Sequence, residues 1–265
     1  MIYLTEEDKS RIKYDGWDKI KRIDLSNGSF YTKFTGKDGA FRELFGKKIF
    51  DIVGIPSPEY LYIKEENCIL STDLREEYPN FKLAYEMADI RNINDLYNLI
   101  KKFKNYDEII KQVNIMHFID ILFGNTDRHS NNYGFNINED GTASLVVLDN
   151  EEMLFDYIHA TRPVSFPTEN HLSFIDYSKE AEYKYFLESL PEEHKQVIYY
   201  LLQIFNIKEV FKLMNDLEQE NNCRFKNKRK FFLEYLKNYL KIYRCTISES
   251  KKSKSNQTNK IKKKI

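Results

Sequence analysis

Apolar positions recur along this chain at two different intervals. Near the N-terminus the interval is two. Lys19–Leu25 and Ser29–Phe34 read as strands separated by the hairpin signal Asn27-Gly28, and Phe30, Thr32 and Phe34 alternate with Tyr31 and Lys33. Phe41, Phe45, Ile49 and Ile52 then follow helical spacing, stopped by Gly54 and Pro56. Pro58–Lys64 and Cys68–Leu74 predict two more strands around Glu65-Glu66-Asn67, and Asp73–Pro79 is the expected hinge.

Beyond the hinge, helical spacing takes over. Ile109, Val113, Met116 and Phe123 predict a helix over Tyr106–Phe123, with Asp107 as its expected cap and Gly124-Asn125 as its stop. Tyr133, Phe135 and Ile137 alternate with polar positions, Glu139-Asp140-Gly141 is turn chemistry, and Ser144–Leu148 is a second, more buried strand. Glu151–Tyr177 is broken by Thr161-Arg-Pro and Phe166-Pro-Thr and is expected as loops. Ser189-Leu-Pro-Glu192 resembles a capping box opening a helix with Val197, Leu201, Leu202 and Phe205. Asn206 opens a second helix with Val210, Leu213, Met214 and Leu217, and a third spans about Lys226–Tyr243. The aromatic stripe of that third helix reads as core.

The expected fold is therefore α+β and bilobal. Residues 1–75 form a small N-lobe of one sheet and one helix, 76–246 a mainly helical C-lobe, and 247–265 a disordered tail. With 42% hydrophobic and 15% aromatic residues the chain can bury a core, which excludes global disorder. Three scattered cysteines (Cys68, Cys223, Cys245) suggest neither zinc nor a disulfide framework. No apolar leader or run of transmembrane length is present, so a cytoplasmic protein is expected. Net charge is zero but uneven: from Thr246 onward seven lysines face one glutamate, leaving the body at −6. A solvated tail is the plainer reading of that run, and an anionic partner the functional one.

Chemistry concentrates in Phe123-Gly-Asn-Thr-Asp127-Arg-His129-Ser-Asn-Asn132-Tyr-Gly134, followed by Leu148-Asp149-Asn150. Phosphoryl transfer needs a carboxylate to orient the attacking hydroxyl and oxygen ligands to hold magnesium. Alone, such a motif is as easily an ordinary polar turn. Here a helix precedes it and a hairpin follows, which folds Asp149 back toward Asp127. Upstream, a strand lysine (Lys33) and a helix glutamate (Glu43) stand where a kinase fixes its phosphate-binding cation. The alternative is two unrelated surface charges.

Asp-x4-Asn within Gly-Asn-Thr-Asp-Arg-His-x-x-Asn-x-Gly resembles the HipA-like serine/threonine kinases, their short CtkA-type relatives, and more widely the phosphoinositide-kinase-like group. The resemblance covers about residues 14–150. It implies Asp127 as catalytic base, Asn132 and Asp149 as magnesium ligands, and His129 as a residue that shapes the loop. It also implies ATP and Mg2+ as cofactors, and a glycine-containing phosphate loop around Gly16 and Lys19. Two departures stand out: Asp149 is followed by Asn-Glu instead of Phe-Gly, and the loop has no serine for the self-phosphorylation known in long HipA proteins. The chain begins close to the phosphate loop, so the extra subdomain of those proteins, and with it an antitoxin partner, is not implied. The expected activity is ATP-dependent transfer to a hydroxyl, first of a protein serine or threonine. A phosphoinositide or small-molecule kinase and a catalytically inactive binding module are the alternatives.

Overall fold

The computed structural model describes residues 3–13, 20–91, 93–125, 127–154, 190–221, 232–233, 236–237 and 240–241, with the backbone alone at 164–167 and 172–175. The expected loop at Gly16 and Lys19, most of the third C-terminal helix and the basic tail lie outside the described residues.

Helix α1 (Glu6–Arg11) opens the structure, and its six residues are too few for a periodic signal. Thr5 and Asp8 cap it reciprocally, the Asp8 N–H donating to Thr5 Oγ1 and the Thr5 N–H to Asp8 Oδ2, each at 3.0 Å. Asp8 also accepts from the Ser26 N–H and hydroxyl at 3.0 and 2.7 Å, tying the helix to the first hairpin. The N-terminal region thus holds a helix beyond the one expected.

Four antiparallel strands follow, β1 (Ile20–Leu25), β2 (Gly28–Lys33), β3 (Tyr60–Ile63) and β4 (Cys68–Thr72), in the order β1-β2-β4-β3. The β1–β2 turn is Ser26-Asn27, one position earlier than the Asn-Gly signal, because Gly28 enters the strand opposite Leu25 with φ 141°. The glycine is needed there because L side chains rarely adopt that φ.

Helix α2 (Gly36–Val53) crosses behind the sheet and ends at left-handed Gly54. Its buried face runs through Phe41, Phe45, Ile49 and Phe50, whereas Ile52, expected on that face, is 47% exposed. Between β4 and the next strand, β5 (Phe81–Leu83), lies α3 (Leu74–Glu77), so the expected hinge contains one helical turn. Helices α4 (Ala84–Met87), α5 (Ile93–Ile100) and α6 (Tyr106–Phe123) lead to the hairpin β6 (Tyr133–Ile137) and β7 (Ala143–Val147), which with β5 forms a second antiparallel sheet. Asp107 does not cap α6. The N-cap is Asn105, whose side chain instead exchanges hydrogen bonds with the Ala143 N–H and C=O at 2.8 and 2.9 Å.

Where loops were expected, Val164–Pro167 (β8) and Leu172–Ile175 (β9) pair antiparallel, with Pro167 opposite Leu172 at the turn. Helices α7 (Glu192–Ile204) and α8 (Ile207–Glu220) complete the bundle. Asn206 caps α8, accepting from the Lys208 and Glu209 N–H groups at 3.1 Å. The residue before α7 is Pro191, which makes no side-chain cap, and Ser189 lies outside the described residues.

One large core unites α2 with the helical lobe. Phe123 packs edge-on against Phe45 and Phe205, both at 5.3 Å, and stacks near Phe232 at 6.2 Å. A small separate cluster (Ile12, Leu25, Phe30, Ile63, Cys68, Leu70) lies beneath the first sheet. Helix α2 is therefore anchored in the C-lobe, and the groups it carries hold a fixed relation to that lobe. Among the described residues no helix is long and apolar enough to cross a membrane.

Candidate active site

Alternation along β2 turns Tyr31 and Lys33 away from the small core and into the space between the two sheets. Lys33 Nζ lies 2.9 Å from Glu43 Oε1 on α2, 2.6 Å from Asp149 Oδ1 and 2.9 Å from Glu151 Oε2. The ammonium hydrogen-bonds Glu43 and Asp149 and forms an ion pair with Glu151. Burial alone would lower the Lys33 pKa, but Glu43, Asp149 and Glu151 outweigh it and hold the group charged above its ordinary value. Burial raises the Glu43 carboxyl, against Lys33 and the Asn150 N–H, which donates to Glu43 Oε2 at 2.7 Å. Asp149 is lowered: its partial burial works the other way, and Lys33 prevails.

Gly46 lets α2 come this close to the segment after β7: a Cβ there would lie 2.3 Å from the Asn150 Cβ. Asp149 itself adopts a left-handed conformation with φ 48°, which turns the chain sharply after Leu148.

The Asp127–Asn132 loop is built around a buried guanidinium. Arg128 bonds both oxygens of Asp120 on α6, from Nε at 3.0 Å to Oδ2 and from Nη2 at 3.0 Å to Oδ1. Its Nη1 donates to the Asn132 carbonyl at 2.8 Å and to the carbonyl of Leu148, and Nη2 donates to Asn150 Oδ1 at 2.7 Å. Asn125, the asparagine of Gly-Asn, donates to Asp120 at 2.9 Å and accepts the Asp127 N–H at 3.1 Å. Asn132 Nδ2 donates to the Asp127 carbonyl at 2.7 Å. That bond closes the five-residue interval read from the sequence and commits the amide nitrogen, so the oxygen is the atom left for a ligand. The Asp127 side chain is 54% exposed, with His129 Nε2 at 3.7 Å from its Oδ2. His129 Nδ1 accepts the Asn131 N–H at 3.2 Å.

The lobes enclose a cavity of about 360 Å³. Lys33, Glu43, Asn132 and Asp149 line it on one side. Ile20, Ile69, Phe81, Leu83 and Leu148 give it apolar walls, and the Ser71–Arg75 segment runs along its back. An ionised carboxylate and an amide oxygen facing one cavity are hard oxygen donors, the set magnesium takes with nucleotide phosphates. Lys33, Glu43, Asn132 and Asp149 are thus brought together, with Asp127 and His129 on the same loop. Gly16 and Lys19 lie outside the described residues. Arg128, Asp120, Asn150 and Glu151 carry this geometry without having been singled out from the sequence. No periodicity or spacing in the sequence marks these four residues.

No protein-family model matches the sequence, and no curated protein matches it by sequence. Solved structures do resemble the fold. The Helicobacter pylori proinflammatory kinase CtkA superposes with a TM-score of 0.59 at 18% identity, over 87% of this chain and 95% of that one. HipA of Shewanella oneidensis MR-1, solved with HipB and operator DNA, gives 0.55 at 12% identity over 88% of this chain. The matched region spans 64% of that HipA structure. At such identities the likeness is one of architecture: the chain has the bilobal α+β fold of HipA- and CtkA-like kinases.

Proposed function

We propose that this protein is an ATP- and magnesium-dependent kinase that transfers the γ-phosphoryl group to a hydroxyl of a protein serine or threonine. The observation that carries the proposal is the convergence of Lys33, Glu43 and Asp149, with the Asn132 amide, on one inter-lobe cavity. The apolar walls at Ile20, Ile69 and Leu148 suit an adenine ring. Lys33, oriented by Glu43, neutralises phosphate oxygens.

Asn132 and Asp149 would hold magnesium, which supplies charge neutralisation on the phosphates. Asp127 orients the acceptor hydroxyl and takes its proton. The hydroxyl oxygen bonds to the γ-phosphorus as the bond from that phosphorus to the bridging oxygen breaks, and ADP leaves with the electron pair. His129, bonded to the Asn131 N–H, shapes the turn after Asp127. The Asp127 carboxylate is solvent-exposed, which favours an acceptor presented on a large partner over one enclosed in a pocket.

Radiolabelled ATP and Mg2+ supplied with the protein alone, with a bacterial lysate, and with phosphoinositide vesicles test the proposal. Label on serine or threonine is the expected result. Label on lipid alone would reassign the acceptor, and no transfer to any acceptor would remove the kinase reading.

A further inference from the structure

Asn150 follows the metal-type carboxylate, where a phenylalanine would have been expected of a typical protein kinase, and it is fully buried. Its two polar ends reach in opposite directions. Its main-chain N–H donates to Glu43 Oε2 at 2.7 Å, while its side-chain Oδ1 accepts from Arg128 Nη2 at 2.7 Å. Arg128 in turn grips the carbonyls of Asn132 and Leu148 and the carboxylate of Asp120. One unbroken chain of hydrogen bonds therefore runs from Lys33 through Glu43, Asn150 and Arg128 to the loop that bears Asp127. Gly46 makes room for it, since any side chain there would overlap the Asn150 Cβ.

A buried amide is costly unless its geometry is used. Packing alone would favour an apolar residue at this position, where Asn150 Nδ2 has no partner. The amide oxygen supplies something an apolar side chain lacks: an acceptor that holds the Arg128 fork in register with the Glu43 carboxylate. We infer that Asn150 is a positioning residue that couples the Lys33–Glu43 pair to the Asp127–Asn132 loop. The inference rests on the kinase reading of those groups, although the coupling itself is a property of the folded chain.

Because the link to Glu43 is made by the backbone and the link to Arg128 by the side chain, substitution separates them. Asn150→Ala leaves the N–H on Glu43 and removes only the Arg128 acceptor. It should keep nucleotide affinity within about twofold while kcat falls about tenfold or more, as for loss of a charged hydrogen bond. Hydrogen exchange of the full-length variant should speed up at the His129 and Asn132 amides, which bond within the loop to the carbonyls of Asp127 and His129. Exchange in α6 should stay unchanged. Asn150→Asp, which retains an oxygen for Arg128, should restore loop protection.

Loop exchange at the wild-type rate in Asn150→Ala would overturn the inference, as would nucleotide affinity falling in step with kcat. Faster loop exchange in a protein whose wild type transfers no phosphoryl group would sustain the coupling and remove the kinase reading instead.

Discussion

Glu151 stands 2.9 Å from Lys33 Nζ and is the third carboxylate on an ammonium that already holds Glu43 and Asp149. A nucleotide phosphate can reach that ammonium only if one of the three lets go. Glu43 is enclosed and bonded to the Asn150 N–H, and Asp149 is fixed by the sharp turn after Leu148. Asp149 and Glu151 are both partly exposed, at 34% and 28%, but Lys33 hydrogen-bonds Glu43 and Asp149 and meets Glu151 only as an ion pair, so Glu151 is the carboxylate held least.

Glu151→Ala should therefore tighten nucleotide binding. An ion pair without hydrogen-bond geometry is worth about 1 kcal/mol, so a gain of about two- to fivefold is expected by calorimetry. Weaker Mg·ATP binding in the variant would show that Glu151 helps the metal, and would refute its role as competitor.

Lys33→Met should abolish phosphate anchoring and also destabilise the fold. It strands Glu43, whose side chain is 2% exposed, without its counter-ion, at a cost of about 3–5 kcal/mol. Adding Glu43→Gln removes the stranded charge. The double variant should melt at a higher temperature than Lys33→Met alone, although neither should bind nucleotide normally. Equal melting temperatures would mean that the pair is not electrostatically coupled.

Gly134 closes the motif for a steric reason. A Cβ at this position would lie 2.3 Å from the Lys82 carbonyl oxygen and 2.7 Å from the Phe81 ring, so only glycine lets β5 pair with β6. Gly134→Ala should cost about 1–3 kcal/mol in denaturant unfolding and expose β5 to hydrogen exchange. An unchanged midpoint would contradict the close pairing.

How far the sequence carries depends on the range of each interaction. Period-two alternation placed Lys33 on the cavity side of β2, and helical spacing placed Glu43 on the helix that faces it. The loop–hairpin order brought Asp149 to the same cavity as Asn132. Local patterns failed where tertiary contacts decide. Gly28 pairs with Leu25 inside the ladder instead of turning, and Phe50 took the buried position expected of Ile52 beside Arg128, whose guanidinium lies 5.6 Å from its ring. Arg128 and Asn150 received no role because a buried polar network between distant segments leaves no periodic trace. Proline-broken composition likewise concealed the β8–β9 pairing.

His117 gives the fold a pH dependence. It is 4% exposed on α6, and burial, helped by Arg128, pushes its pKa from 6.5 down to about 3. The native imidazole stays neutral while the unfolded one takes up a proton. Its contribution is therefore complete above pH 6.5 and is lost as pH falls from there toward 3. Over that window stability should fall with falling pH, with a slope of at most one proton taken up on unfolding. His117→Gln should flatten the slope, and the His117 resonances should not shift between pH 8 and pH 4.5. A titration near pH 6.5 would show that the ring is open to water.

The three groups assigned to the chemistry should fail in different ways. Asp127 is not among the residues lining the cavity and its side chain is 54% exposed, so Asp127→Ala should bind Mg·ATP as wild type does. Turnover should nevertheless fall by about 10²–10⁴, the usual loss when a general base is removed. In the proposed mechanism Asp149 serves as an anionic metal ligand, and it is also the 2.6 Å partner of Lys33. Asp149→Asn should lose turnover and metal-dependent affinity together, while metal-free ADP binds as well as before or better, because Lys33 has one fewer carboxylate to release. Asn132 stands between these cases. Its Nδ2 fixes the Asp127 carbonyl, so Asn132→Ala should weaken the metal response and also loosen the loop. Excess magnesium should recover affinity but not kcat. Calorimetry with and without magnesium, beside phosphoryl transfer, separates the three patterns. Full transfer by Asp127→Ala would remove the residue from the mechanism, and identical profiles for Asp127→Ala and Asp149→Asn would show that the roles of base and metal ligand are not divided as assigned.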